Sequence, residues 1–126
     1  MRFHSHAYFD HLDARAVAQA RAFREQIRRE WASTPHVEVH SFLPTPAGPH
    51  PRGSFEVQFT QETFAGYISW LMFNRPEGMD ILIHPLSGSH VLDHTSRALW
   101  LGKPVVLDQA MLEAADQDRR PVQPVI

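Results

Sequence analysis

Residues 3–10, "FHSHAYFD", alternate between small or apolar side chains and polar or ring-bearing ones. Such period-two patterning is that of a β-strand half covered on each face. Phe3, Ala7 and Phe9 fall on one side; His4, His6 and Tyr8 fall on the other. A strand that places two imidazoles on one face needs a partner surface for them, which the polar sides of the remaining elements must supply.

From Leu12 to Trp31 the spacing becomes helical, with Val17, Ala20, Phe23, Ile27 and Trp31 along one stripe and Asp10 or Asp13 as N-cap. Pro35 stops this helix. His36 to Phe42 reads as a second strand, Val37 and Val39 on one face and His36, Glu38 and His40 on the other. "LPTPAGPHPRG", residues 43–53, holds four prolines and two glycines and must be a loop. Ser54 to Phe59 alternates again: Phe55, Val57 and Phe59 oppose Ser54, Glu56 and Gln58. Thr60 is placed to cap a helix reaching Phe73, with Phe64, Ile68, Leu71 and Met72 expected inside, and Met79 to His84 is a fourth strand closed by Pro85.

The order βαββαβ predicts an α+β, ferredoxin-like sandwich: a four-stranded antiparallel sheet, order 4-1-3-2, with two helices on one face. Leu86 to Ile126 is an extension, with helices expected near Val91–Leu101 and Gln109–Ala115 and a proline-bearing tail that is loose or docks on a partner chain. The whole chain, 1–126, reads as one domain.

Composition narrows the function. Apolar residues make up 43%, charged residues 21%, and the net charge is −2, which gives no reason to expect nucleic acid or an anionic membrane as partner. The absence of cysteine removes disulfide and thiolate chemistry and points to the cytoplasm. Neither a signal peptide nor a membrane span is expected. Nine histidines are the unusual count.

Strand pairing says which of them meet. The helices need the apolar sheet face, so His4, His6, Tyr8, His36, Glu38, His40, Glu56 and His84 share the open one. Strand 4 runs antiparallel beside strand 1, which brings His84 next to the start of that strand. His6 and His84 are therefore expected to share a metal ion, while His50 and His94 come from loops able to fold over that end. His4, His11, His36 and His90 are read as solvated or hydrogen-bonded, Glu38 and Glu56 as surface or interface carboxylates, and Trp70 and Trp100 as core or interface residues. "HVLDH", residues 90–94, lacks the glutamate of a zinc-protease helix, and neither a glycine-rich phosphate loop nor a G-x-S-x-G elbow is present.

Four motifs in order, "FHSHAYFD", "AGPHPRGSFEVQF", "LIHPLSG" and "DHTSRALWLGKPVVLD", resemble the DOPA 4,5-dioxygenase family from Phe3 to about Asp108. The resemblance implies a ferredoxin-like fold, a homodimer, and extradiol cleavage of a catechol such as DOPA with O₂ at non-haem Fe(II), zinc or another divalent metal being other occupants. It carries the family's histidines onto His6, His50, His84 and His94. On that basis His6 and His84 are expected as metal ligands with His50 as third, and His94 as acid–base group with His50 its alternate. Arg52 and His40 are the expected substrate contacts. A 2-His-1-carboxylate site would draw on Asp93 or Glu56; three histidines serve equally. The rival readings are a cofactor-independent ferredoxin-like monooxygenase and a non-enzymatic dimer that binds metal or a small molecule.

Overall fold

In the computed structural model, which describes residues 1–118, ten segments follow one another. They are β1 (Arg2–Phe9), α1 (Ala14–Trp31), β2 (Val37–Leu43), β3 (Gly53–Thr60), a 3₁₀ turn (Gln61–Thr63), α2 (Phe64–Asn74), β4 (Asp80–Pro85), α3 (His90–His94), β5 (Leu99–Leu101) and α4 (Gln109–Gln117). The strands form one antiparallel sheet in the order β2-β3-β1-β4-β5. Five strands replace the expected four, and the fifth comes from the segment expected to be helical over 91–101. That helix stops after five residues because Thr95 and Arg97 turn their amides back to the Leu92 carbonyl. The chain then re-extends, and Leu99, Trp100 and Leu101 pair with Ile83, Leu82 and Ile81.

The core lies between the sheet and the two long helices. Ala7 and Phe9 of β1, Phe55, Val57 and Phe59 of β3, and Ile81 and Ile83 of β4 meet Ala20, Phe23 and Ile27 of α1 and Tyr67, Ile68 and Leu71 of α2. Each fully buried large side chain contributes on the order of 1.5–3 kcal/mol. Asp13 caps α1 by accepting from the Arg15 amide at 2.9 Å. Thr60 does not cap α2: its carbonyl accepts from the Thr63 hydroxyl, and the 3₁₀ turn intervenes. Met72, expected inside, is exposed, since the stripe through Phe64, Ile68 and Leu71 takes Tyr67 instead. The Tyr67 hydroxyl meets Ser5 Oγ at 3.1 Å, so the one polar side chain that β1 turns toward the helices is satisfied.

β2 departs from simple alternation. His36 precedes the strand with φ 69°, and the pairing with β3 shifts between Val39 and Phe42. This bulge returns Phe42 to the core, where it stacks on Phe9 and Phe55. The Arg24 guanidinium donates to the His40 carbonyl from Nε and Nη2, at 3.0 and 2.7 Å, and satisfies the bulged backbone. Among the described residues no helix is long and apolar enough to cross a membrane. The prolines of the tail expected after the helix near Gln109–Ala115 lie outside the described residues.

Gly53 opens β3 where Phe9 closes β1. A Cβ there would fall 2.4 Å from Phe9 Cε2 and 2.6 Å from its Cζ. Gly53→Ala should therefore destabilise the protein by about 1–3 kcal/mol, the usual cost of overpacking. The smaller Phe9→Leu ring replacement in the same chain should recover part of it. Urea midpoints of the two variants would show this; an unchanged midpoint in Gly53→Ala would mean that Phe9 is free to swing away.

Candidate functional site

The open face of β1 presents His4, His6 and Tyr8. Pairing sets His4 between Gln58 and His84, His6 between Glu56 and Leu82, and Tyr8 between Ser54 and Asp80. Three further segments close over this face. The proline loop brings His50, held by the amide of His50 to the Ala47 carbonyl and by the Asp108 amide to the Pro49 carbonyl. The short helix α3 brings His94, and β5 brings Trp100, which stacks on Tyr8 at 5.9 Å. α3 is itself pinned from α4, whose Asp116 carboxylate accepts from the His90 and Val91 amides at 2.5 and 3.0 Å.

The result is a chain of ring contacts that links five imidazoles through His6 and His84. His6 and His84 stack with centroids 5.0 Å apart and Nε2 atoms 3.0 Å apart. His4 lies 5.5 Å from His6 and 5.3 Å from His84, edge to face. His50 is 4.6 Å from His6, and His94 is 4.0 Å from His84. His4, His6 and His84 each offer a ring nitrogen within 4.8 Å of the others, a group that could hold a metal ion.

Backbone contacts fix two tautomers. His84 Nδ1 donates to the Pro85 carbonyl at 2.7 Å, and His94 Nδ1 donates to the His90 carbonyl at 2.7 Å. A carbonyl only accepts, so in both rings the Nε2 lone pair is free for the site. Burial depresses the basicity of every ring in the cluster. In His6 it is reinforced by His84 and His50, in His84 by His94, and in His94 by His90. His50 is drawn down to about 4 by burial and then by His94, and His4 is lowered by burial although Glu56 opposes it. The rings are neutral at pH 7, the form that binds metal.

The donor set fits such an ion. Two imidazole nitrogens on one ion, at bonds of about 2.0–2.1 Å, lie roughly 2.9–3.4 Å apart. The 3.0 Å between His6 Nε2 and His84 Nε2 falls inside that range.

Glu56 borders the group. One carboxylate oxygen lies 3.2 Å from His4 Nδ1 and 3.9 Å from His6 Nε2, and the other accepts from His40 Nδ1 at 2.7 Å. His40 also meets Glu38 at 3.2 Å. Partial burial works against its protonation, but the Glu56 and Glu38 carboxylates outweigh it and raise its pKa. His40 thus sits at the rim. Asp93 is buried and committed elsewhere, accepting from the Ser87 amide and hydroxyl and facing Arg97. Arg52 pairs with Asp80 at 3.6 Å and lines a cleft of about 430 Å³ with Asp10, Arg15 and Glu77. His36 and His90 lie outside the group of three.

The structure therefore brings together His6, His50, His84 and His94 of the expected residues, and adds two that the sequence reading passed over. His4 shares strand parity with His6 and directly opposes His84, a signal available from the strand order alone. Tyr8 shares that parity too, but its bond to His50 depends on a loop no pattern positions.

A sheet backed by two helices on one face and bearing a cluster of neutral imidazoles on the other defines an α+β protein with a histidine group that could hold a metal ion. The chain belongs to the Dopa 4,5-dioxygenase family, whose profile matches residues 3–111. It is 34% identical over 125 residues to an uncharacterized 21.2 kDa protein of Botryotinia fuckeliana, covering 93% of this chain and 66% of that one. It is 36% identical over 112 residues to a DOPA 4,5-dioxygenase of Amanita muscaria, covering 87% of this chain and 49% of that one. The chain thus spans about two-thirds of one of these relatives and about half of the other. A crystal structure of a candidate dioxygenase from Nostoc punctiforme superposes with a TM-score of 0.74 at 36% identity, over 90% of this chain and 91% of that one.

Neutral buried imidazoles make stability depend on pH. The unfolded chain takes up protons near pH 6.5, whereas His6, His50 and His84 in the folded chain do so only well below it. Their contribution is complete above about pH 6.5 and is lost as the pH falls through the folded values. His40 acts in the opposite sense but is a single half-exposed ring. The urea midpoint of chelator-treated protein should be lower at pH 5 than at pH 7.5, and His50→Phe should flatten that difference. Equal midpoints in the unaltered chain would contradict the neutral cluster.

Proposed function

We propose that the chain is an extradiol-type dioxygenase that opens the ring of DOPA or a related catechol with O₂, using Fe(II) held by His4, His6 and His84. The observation that carries this reading is the convergence of three neutral imidazoles on one sheet face, flanked by two more, in a member of a dioxygenase family. When bound, Fe(II) supplies open coordination positions at which a catechol and O₂ are brought together.

The residues around it have separable tasks. The Pro85 carbonyl holds His84 with its lone pair toward His6. Glu56 faces His4 Nδ1 and ties it to His40 at the rim, while Gln58 Oε1 lies 3.2 Å from His4 Nε2 and has to give up that contact for Nε2 to bind the ion. His94, with Nδ1 committed to the backbone, keeps Nε2 as an acceptor and takes the catechol hydroxyl proton. Burial keeps it neutral and ready to do so. Arg52 is engaged by Asp80 and is left out of this site. The same reading includes a homodimer, supported by Met72 and Phe73 lying exposed together at the end of α2. Sedimentation should give about twice 14.4 kDa.

Metal analysis tests the ligands. His6→Ala and His84→Ala should each lose bound iron or zinc while keeping native circular dichroism, whereas His36→Ala, at the turn before β2, should retain it. Anaerobic loading with Fe(II) followed by air and a panel of catechols tests the reaction through the absorbance of the ring-opened product. His94→Ala should still bind iron and catechol under argon but lose about 10²–10⁴-fold in ring opening. Release of the metal by His94→Ala would make His94 a ligand instead.

A further inference from the structure

Tyr8 carries out no task in the reading above, yet it is the most enclosed polar side chain of the open face, with no measurable exposure. Its ring is held between Trp100 at 5.9 Å and His50 at 5.4 Å. Its hydroxyl lies 2.7 Å from His50 Nδ1 and, among the described residues, has no other hydrogen-bond partner. Two arrangements of protons are open to that contact. In one the phenol donates to Nδ1, and the His50 proton resides on Nε2. In the other Nδ1–H donates to the phenol oxygen, and the phenol hydrogen is left buried with no acceptor. An unsatisfied buried donor disfavours the second arrangement by roughly 5- to 150-fold.

We propose that Tyr8 is a positioning residue: by donating to His50 Nδ1 it fixes the His50 proton on Nε2, making His50 a hydrogen-bond donor to the site and neither a metal ligand nor a base. Two neighbouring imidazoles thereby present opposite functions. His94, with its proton on Nδ1, offers a lone pair. His50 offers N–H. The donor keeps its proton, because handing it on would leave a buried imidazolate or phenolate, and burying an unpaired charge is costly. His50 therefore stabilises negative charge as it grows on a substrate oxygen, as preorganised donors do, while the proton itself moves through His94. The kinetic part of this proposal rests on the dioxygenase reading; the tautomer is a property of the folded chain alone.

The test is nitrogen-15 NMR of the full-length chain, chelator-treated and then loaded with diamagnetic zinc. His50 should show a protonated Nε2 and an unprotonated Nδ1 in both states, with a slowly exchanging Tyr8 hydroxyl proton coupled to Nδ1. Tyr8→Phe keeps the stacking on Trp100 and should keep wild-type zinc content, while moving the His50 tautomer ratio toward Nδ1–H by about 2- to 10-fold. In the iron-loaded enzyme the same variant should lower kcat at least about 10-fold with little change in KM. A proton on Nδ1 of the unaltered chain, a zinc-dependent shift of His50 Nε2 to the metal-bound range, or an unmoved ratio in Tyr8→Phe would each overturn the assignment. If Tyr8→Phe does not fold, the spectrum of the unaltered chain decides alone. Failure of the unaltered enzyme to open any catechol would remove the dioxygenase reading and leave the tautomer result standing.

Discussion

β1 is hydrogen-bonded along both edges and covered on both faces, and from Ser5 to Phe9 each of its residues is buried. A strand in that position can carry polar side chains only where each finds a partner inside the protein, since an unmatched polar group costs several kcal/mol on leaving water. Ser5 meets Tyr67, His6 meets His84, and Tyr8 meets His50. These three pairings tie α2, β4 and the proline loop to one strand. Burial also dictates the electrical state of the cluster: five imidazoles this close cannot be charged together, so they are retained as neutral rings with defined lone pairs and N–H groups.

The two faces of the sheet follow different logic. Toward the helices, aromatic rings from separate elements fill the space, as in the stack of Phe9, Phe42 and Phe55 and the packing of Phe23 against Trp70. Nothing there requires a particular proton or lone pair. On the open face, four imidazoles are oriented by a bond to backbone or carboxylate: His84 by Pro85, His94 by His90, and His4 and His40 by Glu56. The first face supplies most of the stability, and the second holds donor atoms in fixed directions.

How much of this the chain discloses by pattern depends on the length of each element. Alternation over eight residues of β1 and β3 sorts their side chains to the correct faces, and the pairing of β1 with β4 follows from βαββαβ connectivity, so His6 and His84 can be joined before any coordinates exist. His4 is equally accessible by parity, although a single histidine near a strand end has the pattern of a surface ring. β5 was hidden because three residues are too few to show a period, and "ALWLG" fits a helix as well as a strand. The bulge at His40 and Ser41 breaks alternation where no glycine or proline announces it. The partners of Tyr8, Glu56 and Asp116 depend on separations of about 3 Å between distant segments, which no local periodicity encodes.

The grip of Asp116 on the first amides of α3 has a consequence for biosynthesis. A ribosome makes β1, β3 and β4 first, and the trio His4, His6 and His84 can assemble as soon as residue 84 has emerged. His94 sits on a helix of five residues, too short to persist unaided. Ser89 caps it and Asp93 ties it to Ser87, and the anchoring is completed when α4 arrives and its Asp116 carboxylate closes over the helix start. A nascent chain can thus bring His4, His6 and His84 to one sheet face before His94 is fully anchored beside them, so that the cluster is completed only as the last described helix forms.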